Sequence, residues 1–420
     1  MAVAGLGAAA ITAHAADFSV SGFGTVGYAQ SNQPEKYQRF INDQGTFKRD
    51  SVFGVQVDAT FNPQWGATVQ AKLAPAAGND REWDTTVSWA FISYRPDNDW
   101  LLRLGKLRVP LYLNSENMDV GTTFDFARLP AEMYSITPSS DFTGASFSRN
   151  WNLDNGDLTL DGYWGQANMH WRFYQRDPIP GTNGPGPLFV PIRTEAKGLV
   201  LTLRQDENVF RAGFHDARAE RRDGVQLPVN FPFVSIGPGM GYYQVPGLPG
   251  PGITTIPEVK NTILNVGADV SLGSGYRLMA EYARRIVKNM DIGPDTQGGY
   301  VALSRRIGAW TPYVSVAALR SEDKPLSIYK NLNGTSVPGF IPGAPMINAA
   351  QRAGADGVVA YDQSSFALGT SYSVSATAKI KAEWMHTRVG QASSFVDPAP
   401  GGDSAHKRIN TVSFSYNFVF

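Results

Sequence analysis

Three stretches of the chain alternate strictly between apolar and polar residues, and the polar set carries ions. VFGVQVDATF places Phe53, Val55, Val57, Ala59 and Phe61 on one face, with Gly54, Gln56, Asp58 and Thr60 on the other. WGATVQAKL repeats the scheme, with Ala67, Val69, Ala71 and Leu73 against Thr68, Gln70 and Lys72. TAKIKAEWMHT sets Ile380, Ala382 and Trp384 against Lys379, Lys381, Glu383 and Met385. Ions on one face of a strand exclude a two-layer sandwich core, where each would lose its hydration. They suit a closed sheet with water inside and an apolar medium outside.

Sixteen such runs can be marked between Asp17 and Phe420, the seventh ending near 166 and the eighth beginning near 195. NPQW, PDND, NLDNG, QDEN, GSG, IGAW and the Ser375-Ala376 corner are short connections. The others are long and rich in Gly and Pro, among them PIPGTNGPGPLFVP, Leu227 to Pro257 and Ser321 to Asp362. An even strand count with all short turns at one end predicts an all-β transmembrane antiparallel β-barrel of 16 strands over residues 16–420. No run of apolar residues long enough for a membrane helix occurs beyond the N-terminus, and mean hydropathy is −0.23. No fixed-period repeat supports a propeller or β-helix. With 37 basic and 37 acidic residues, nothing points to nucleic acid as a partner, and Cys 0 removes disulfides and thiolate metal sites.

One connection stands apart. Residues 107–142, within GKLRVPLYLNSENMDVGTTFDFARLPAEMYSITPSSDFTG, show neither strand alternation nor a helical stripe. Leu111, Tyr112, Leu113, Phe124, Phe126, Leu129, Met133 and Tyr134 give the segment more apolar content than a disordered tract carries. It is therefore expected to fold against the inner wall, as a constriction. Its ions are Arg108, Glu116, Asp119, Asp125, Arg128, Glu132 and Asp141, a net acidic set. The ion-bearing strand faces supply Lys72, Arg103, Arg211, Arg277, Arg285, Lys379 and Lys381, with Asp58, Asp161, Asp269, Glu281 and Glu383. Acidic Glu116, Asp119 and Asp125 are expected to face Arg277, Arg285, Lys379 and Lys381, setting a field across the narrowest section.

Residues 1–15 read as the apolar part of a secretory signal without its basic n-region, with cleavage between Ala15 and Ala16. The last run, RINTVSFSYNFVF, puts Val412, Phe414, Tyr416, Phe418 and Phe420 on one face. Its ring-rich end, with Phe418 and Phe420, resembles the assembly signal of bacterial outer-membrane proteins. Gly22, Gly24 and Gly27 in the first run form a G-x-G lookalike better explained by close strand or subunit packing. None of the five histidines (His14, His170, His215, His386, His406) sits in a metal-binding or catalytic motif, and no G-x-S-x-G or phosphate loop is present. His386 shares the outer face of Trp384, while His215 is expected to face inward.

FSVSGFGTVGYA, RDSVFGVQVDATFNPQWGATVQ, the LRLGKLRVP strand exit with the long connection after it, and SFSYNFVF together resemble the general-diffusion porins of Gram-negative bacteria. The resemblance implies a cell outer-membrane location, a third external loop folded into the lumen, and a homotrimer. Membrane lipids, the outer-membrane assembly machinery and small polar solutes are the implied partners, with no cofactor and no enzymatic activity. The expected function is a passive diffusion channel for small hydrophilic solutes and ions. A substrate-selective channel, with Tyr112, Phe124, Phe126 and Tyr134 as a binding site, is the second reading. An outer-membrane enzyme or adhesin using the external loops is the third.

Overall fold

The computed structural model describes residues 16–137, 141–179 and 184–420. The signal-peptide reading of residues 1–15, including Ala15, lies outside the described residues. Ala16 directly precedes the first strand.

Sixteen strands form one closed antiparallel barrel, each paired with its sequence neighbours. They are β1 (Asp17–Ser31), β2 (Val52–Thr60), β3 (Trp65–Pro75), β4 (Trp83–Tyr94), β5 (Trp100–Arg108) and β6 (Asp141–Leu153). Next come β7 (Gly156–Gln175), β8 (Gly186–Gln205), β9 (Asn208–Arg221), β10 (Glu258–Gly273) and β11 (Tyr276–Val287). The last five are β12 (Thr296–Arg305), β13 (Trp310–Ser321), β14 (Tyr361–Ser375), β15 (Ala378–Ser393) and β16 (Arg408–Val419). Closure is made by β1 on β16, in a register that sets Gly24 opposite Phe418 and Tyr28 opposite Phe414.

The period-two pattern sorts side chains as expected. Val20, Val55, Val69, Ile92, Leu104, Phe214, Val301, Trp384 and Phe414 are exposed on the outer wall. Residues of the other parity, such as Thr25, Gln70, Arg211, Glu281, Lys381 and Ser413, are buried and polar. An apolar exterior suits hydrocarbon, and closure leaves no unpaired sheet edge in it.

Three connections differ from the sequence reading. β7 and β8 run on to Gln175 and from Gly186, so a ribbon rises past the rim where a long loop was expected. Pro187 and Pro191 lie within β8, yet residues 186–191 pair only with β7, because β9 joins from Ile192 onward. A strand edge without a partner tolerates the missing N–H. Residues 322–360 contain two helices, α1 (Asp323–Gly334) and α2 (Ala344–Asp356), instead of irregular loop. Leu326, Tyr329 and Leu332 are buried on α1, with Ala344 and Ala355 on α2, in an apolar cap shared with Tyr242, Val245 and Leu248. Leu227 to Pro257 holds two small two-stranded sheets, Leu227–Pro228 with Thr255–Ile256 and Phe233–Gly237 with Met240–Tyr243.

The glycines of β1 also prove occupied. A Cβ at Gly22 would fall 2.2 Å from the Phe420 ring, and one at Gly24 would fall 2.5 Å from the Phe418 ring. The small residues proposed for subunit contact thus seat the chain's own closing aromatics. Gly24→Leu should therefore weaken closure by about 1–3 kcal/mol through overpacking. A lower unfolding temperature of the heat-modifiable band on detergent gels checks this; an unchanged one contradicts it.

Candidate functional site: the segment between β5 and β6

Pro110 cannot donate to a ladder, and the chain leaves the wall after Arg108. Between β5 and β6, described residues 109–137 include only a 3-10 turn (Gly121–Thr123) and a single helical turn (Ala131–Tyr134). Leu111, Tyr112, Phe126, Leu129, Met133 and Ile136 are buried in one cluster with Tyr163, Ile263, Ala283, Tyr300, Tyr313 and Leu319 of the strands. At roughly 1.5–3 kcal/mol for each large apolar side chain buried, this packing is the main force holding the segment down.

Hydrogen bonds then fix its path. The Leu113 N–H donates to Glu281 Oε2 at 2.8 Å, while the Tyr134 and Tyr300 hydroxyls donate to Glu281 Oε1 at 2.7 and 2.8 Å. Asn265 donates to the Leu111 carbonyl at 2.6 Å, and Arg211 to the Tyr112 carbonyl at 2.5 Å. Arg285 bonds Asn261 and the Ile136 carbonyl. On β13 and β15, Tyr313 accepts from the Ala127 N–H at 2.9 Å and donates to Glu383 at 2.8 Å. Lys381 donates to the Phe126 carbonyl at 2.8 Å, with its ammonium 4.0 Å from the Phe124 ring centre.

The charged anchors fall on other strands. Asp119 accepts from Lys72 of β3 and from Arg108, each at 2.8 Å, and Arg108 also bonds Asp141 at 2.9 Å. Asp125 accepts from Ser371 at 2.7 Å and Lys379 at 2.8 Å. Arg128 pairs with Asp50, in the connection after β1, at 2.5 Å and touches Ser413 of β16 at 3.1 Å. Between the segment and the β1–β3 side lies a cavity of ≈ 570 Å³ whose lining includes Arg39, Arg49, Asp50, Asp119, Arg128 and Arg172.

Of the expected constriction residues, the structure brings together Asp125 with Lys379, and places Arg108, Asp119 and Arg128 in ion pairs not foreseen. Asp119 meets Lys72 and Arg108 rather than any of the four cations proposed for it. Arg285 and Lys381 reach the segment through its carbonyls and not through its carboxylates. Arg277 is not brought in: it bonds Asp269 at 2.5 Å and the Glu207 carbonyl, beside the short turns. Glu132 is fully buried and accepts from Gln363 at 2.8 Å, so it faces wall and not passage. Glu116 is exposed. His215 is buried between Tyr163 and Asn265, each at 2.9 Å, and His386 stacks beside Trp384. Sequence reasoning missed Tyr300, Tyr313, Asn265 and Asp50. Nothing local in the sequence marks Tyr300 and Tyr313 as partners of the segment.

Burial alone would raise the Asp119 carboxyl, but the Lys72 ammonium and Arg108 guanidinium hold it down at about 2. A folded value below the unfolded one, about 3.9, means stability present above about pH 4. That stability is lost as pH falls through about 2. Pepsin cleavage within residues 109–137 should therefore rise between about pH 4 and pH 2 in the wild type. In Asp119→Asn it should already be raised at the upper end of that window. Identical pH profiles for the two proteins would contradict this.

A closed sixteen-stranded barrel with an apolar exterior, a polar interior and long connections at one end is the porin class of fold. No family model matches the sequence, and no curated protein matches it. Among solved structures, the chain is similar to the anion-selective porin from Comamonas acidovorans, at 12% identity and TM-score 0.52, covering 97% of this chain and 100% of that one. It is also similar to OmpT, an outer membrane protein of Vibrio cholerae, at 13% identity and TM-score 0.51, covering 96% and 98%. A third is Pseudomonas putida OprB, at 10% identity and TM-score 0.52, covering 96% and 94%. The chain has the fold of the outer-membrane porins.

Proposed function

We propose that the chain is an outer-membrane channel of a Gram-negative bacterium, in which residues 109–137 lie across the lumen and narrow it for small hydrophilic solutes and ions. One observation carries this reading: a segment leaving β5 bonds to β3, β10, β11, β13, β14, β15 and β16. Only the interior of a closed barrel gives one short segment access to strands so far apart in the ring. Fixed ions accompany the segment, with Lys72, Arg108 and Asp119 at one point and Asp125 and Lys379 at another. A polar solute there exchanges hydration for oriented charges; an apolar one of equal size has no such exchange.

Liposome swelling with neutral sugars of increasing size tests the reading. Rapid swelling with monosaccharides that falls off with size is expected, and no swelling above protein-free liposomes would overturn it. The cavity beside Arg49 and Arg128, with Phe124 under the Lys381 ammonium, favours a second reading, a channel with a saturable solute site. Current that saturates with one solute and is blocked by it would select that reading. The trimer implied by the sequence resemblance is tested by native mass in mild detergent.

A further inference from the structure

On one side of the ring the ladder stops short of the long-connection end. β4 pairs with β3 from Trp83 to Tyr94, but its pairing with β5 begins only at Ala90, opposite Lys106. β7 pairs with β8 as far as Gln175, yet with β6 only as far as Gln166, opposite Thr143. Between them β5 ends at Arg108 and β6 starts at Asp141. Among the described residues, 83–89 of β4 and 167–175 of β7 therefore present free edges to each other across a gap, with two short strands as its sill. The connection from β3 to β4 spans the gap from above. Its Asp80 bonds Arg172 of β7 at 2.8 Å, and a Cβ at Gly78 would lie 3.3 Å from the His170 ring.

A cavity of ≈ 1090 Å³ occupies this gap. On β7, Gln166, Asn168 and His170 share the outward face of Trp164, while Ala167 and Met169 share the inward face of Tyr163. All five line the cavity, and one cavity touches both faces of a strand only by passing round its free edge. Inside the barrel it reaches Lys72, whose ammonium bonds Asp119 of the constricting segment, and it shares Ala74 and Pro75 with the cavity beside Arg128. Outside it reaches the Arg193–Glu220 ion pair of the outer wall. The opening thus runs through the wall. Backbone groups on free strand edges need water, and lipid offers none. The gap lies beyond Trp164, on the long-connection side of an aromatic of the kind that marks a membrane interface.

The ribbon formed by β7 and β8 crosses the mouth itself. Arg172 bonds Asp397 at 2.6 Å, and Asp397 follows β15, which stands diametrically opposite β7 in the ring. Arg176 pairs with Asp356 of α2 at 2.6 Å, and Asp177 accepts from the Gly401 N–H at 2.8 Å. We propose that the opening between β4 and β7 is a side entrance at headgroup level, through which small hydrophilic solutes reach the lumen beneath this cover. Solutes pass from the Arg193–Glu220 side, round the edge of β7, to Lys72 and the constricting segment. The proposal rests on the channel reading given above.

The chain has no cysteine, so a single introduced thiol can be labelled alone. Asn168→Cys places one at the outer side of the opening, and Ser364→Cys places one on β14, across the ring and outside the gap. Each variant is labelled with maleimide–biotin and inserted in a planar bilayer, and streptavidin is added to the long-connection side. Current before streptavidin shows that the inserted protein is folded. Capping Asn168→Cys should cut that current about twofold or more, as obstruction of a main path does, and capping Ser364→Cys should leave it unchanged. Unchanged current in capped Asn168→Cys, with labelling complete by mass, would overturn the side entrance and leave the channel standing. An equal loss in both capped variants would also overturn it, because the block would then not depend on the gap. Absence of current before capping would instead remove the channel reading, and the side entrance with it.

Discussion

Replacing Glu281 by Ala should release the segment between β5 and β6 from the wall and raise both conductance and current noise. Glu281 is buried and accepts three hydrogen bonds, from the Leu113 N–H, the Tyr134 hydroxyl and the Tyr300 hydroxyl. Two of these donors belong to the segment and the third to β12, so one carboxyl group joins the two. Removing it leaves buried donors without partners, at a cost of about 3 kcal/mol or more. That cost falls on the attachment of the segment and not on the barrel ladder, whose backbone bonds the substitution leaves in place. The unfolding temperature of the barrel band should therefore move little while single-channel current becomes larger and less steady. Glu281→Gln, which keeps one acceptor oxygen, should fall between Ala and wild type. Steady wild-type current in Glu281→Ala would show that the anchor does not hold the constriction.

Asp119→Asn should shift the reversal potential toward anion preference. In the wild type the Asp119 carboxylate sits 2.8 Å from both the Lys72 ammonium and an Arg108 guanidinium nitrogen. Neutralising it leaves two cations with Asp141 as the remaining nearby carboxylate. The effect should be largest at low salt, where the Debye length reaches ~30 Å at 0.01 M, and should shrink as salt rises. Lys72→Gln should move the potential the opposite way, and Arg277→Gln should leave it close to wild type, because Arg277 is held by Asp269 beside the short turns. A salt-gradient measurement decides. Equal shifts from Arg277→Gln and Lys72→Gln would mean that distance from the segment does not matter, contrary to the geometry.

The contrast between Lys379 and Arg277 shows what the sequence could and could not deliver. Both lie on the ion-bearing faces that alternation identifies, and parity alone makes them equivalent. The difference is height along the barrel axis. Arg277 lies two residues after the short Ser274-Gly275 turn, while the segment meets that strand at Met279 and Glu281. Height depends on register and shear around the ring, which no local pattern encodes. The same limit hid the Glu281 anchor, because its partners are 168, 147 and 19 residues away along the chain.

The strands themselves were legible because the two solvents, lipid and water, impose opposite demands on alternate residues. Where neither solvent acts, the pattern weakens. The upper ends of β7 and β8 rise past the wall, and their Pro-rich sequence read as loop. α1 carried a readable stripe in Leu326, Tyr329 and Leu332, but lay among Gly and Pro that punctuate loops.

Single-channel recording of the purified protein in planar bilayers tests the central claim most directly, with wild type compared against a variant in which residues 114–135 are replaced by a short Gly-Ser linker. If the segment narrows a continuous lumen, the wild type gives uniform ohmic steps and the folded variant gives steps several-fold larger. Absence of steps in both, or steps of equal size in both, would contradict the account.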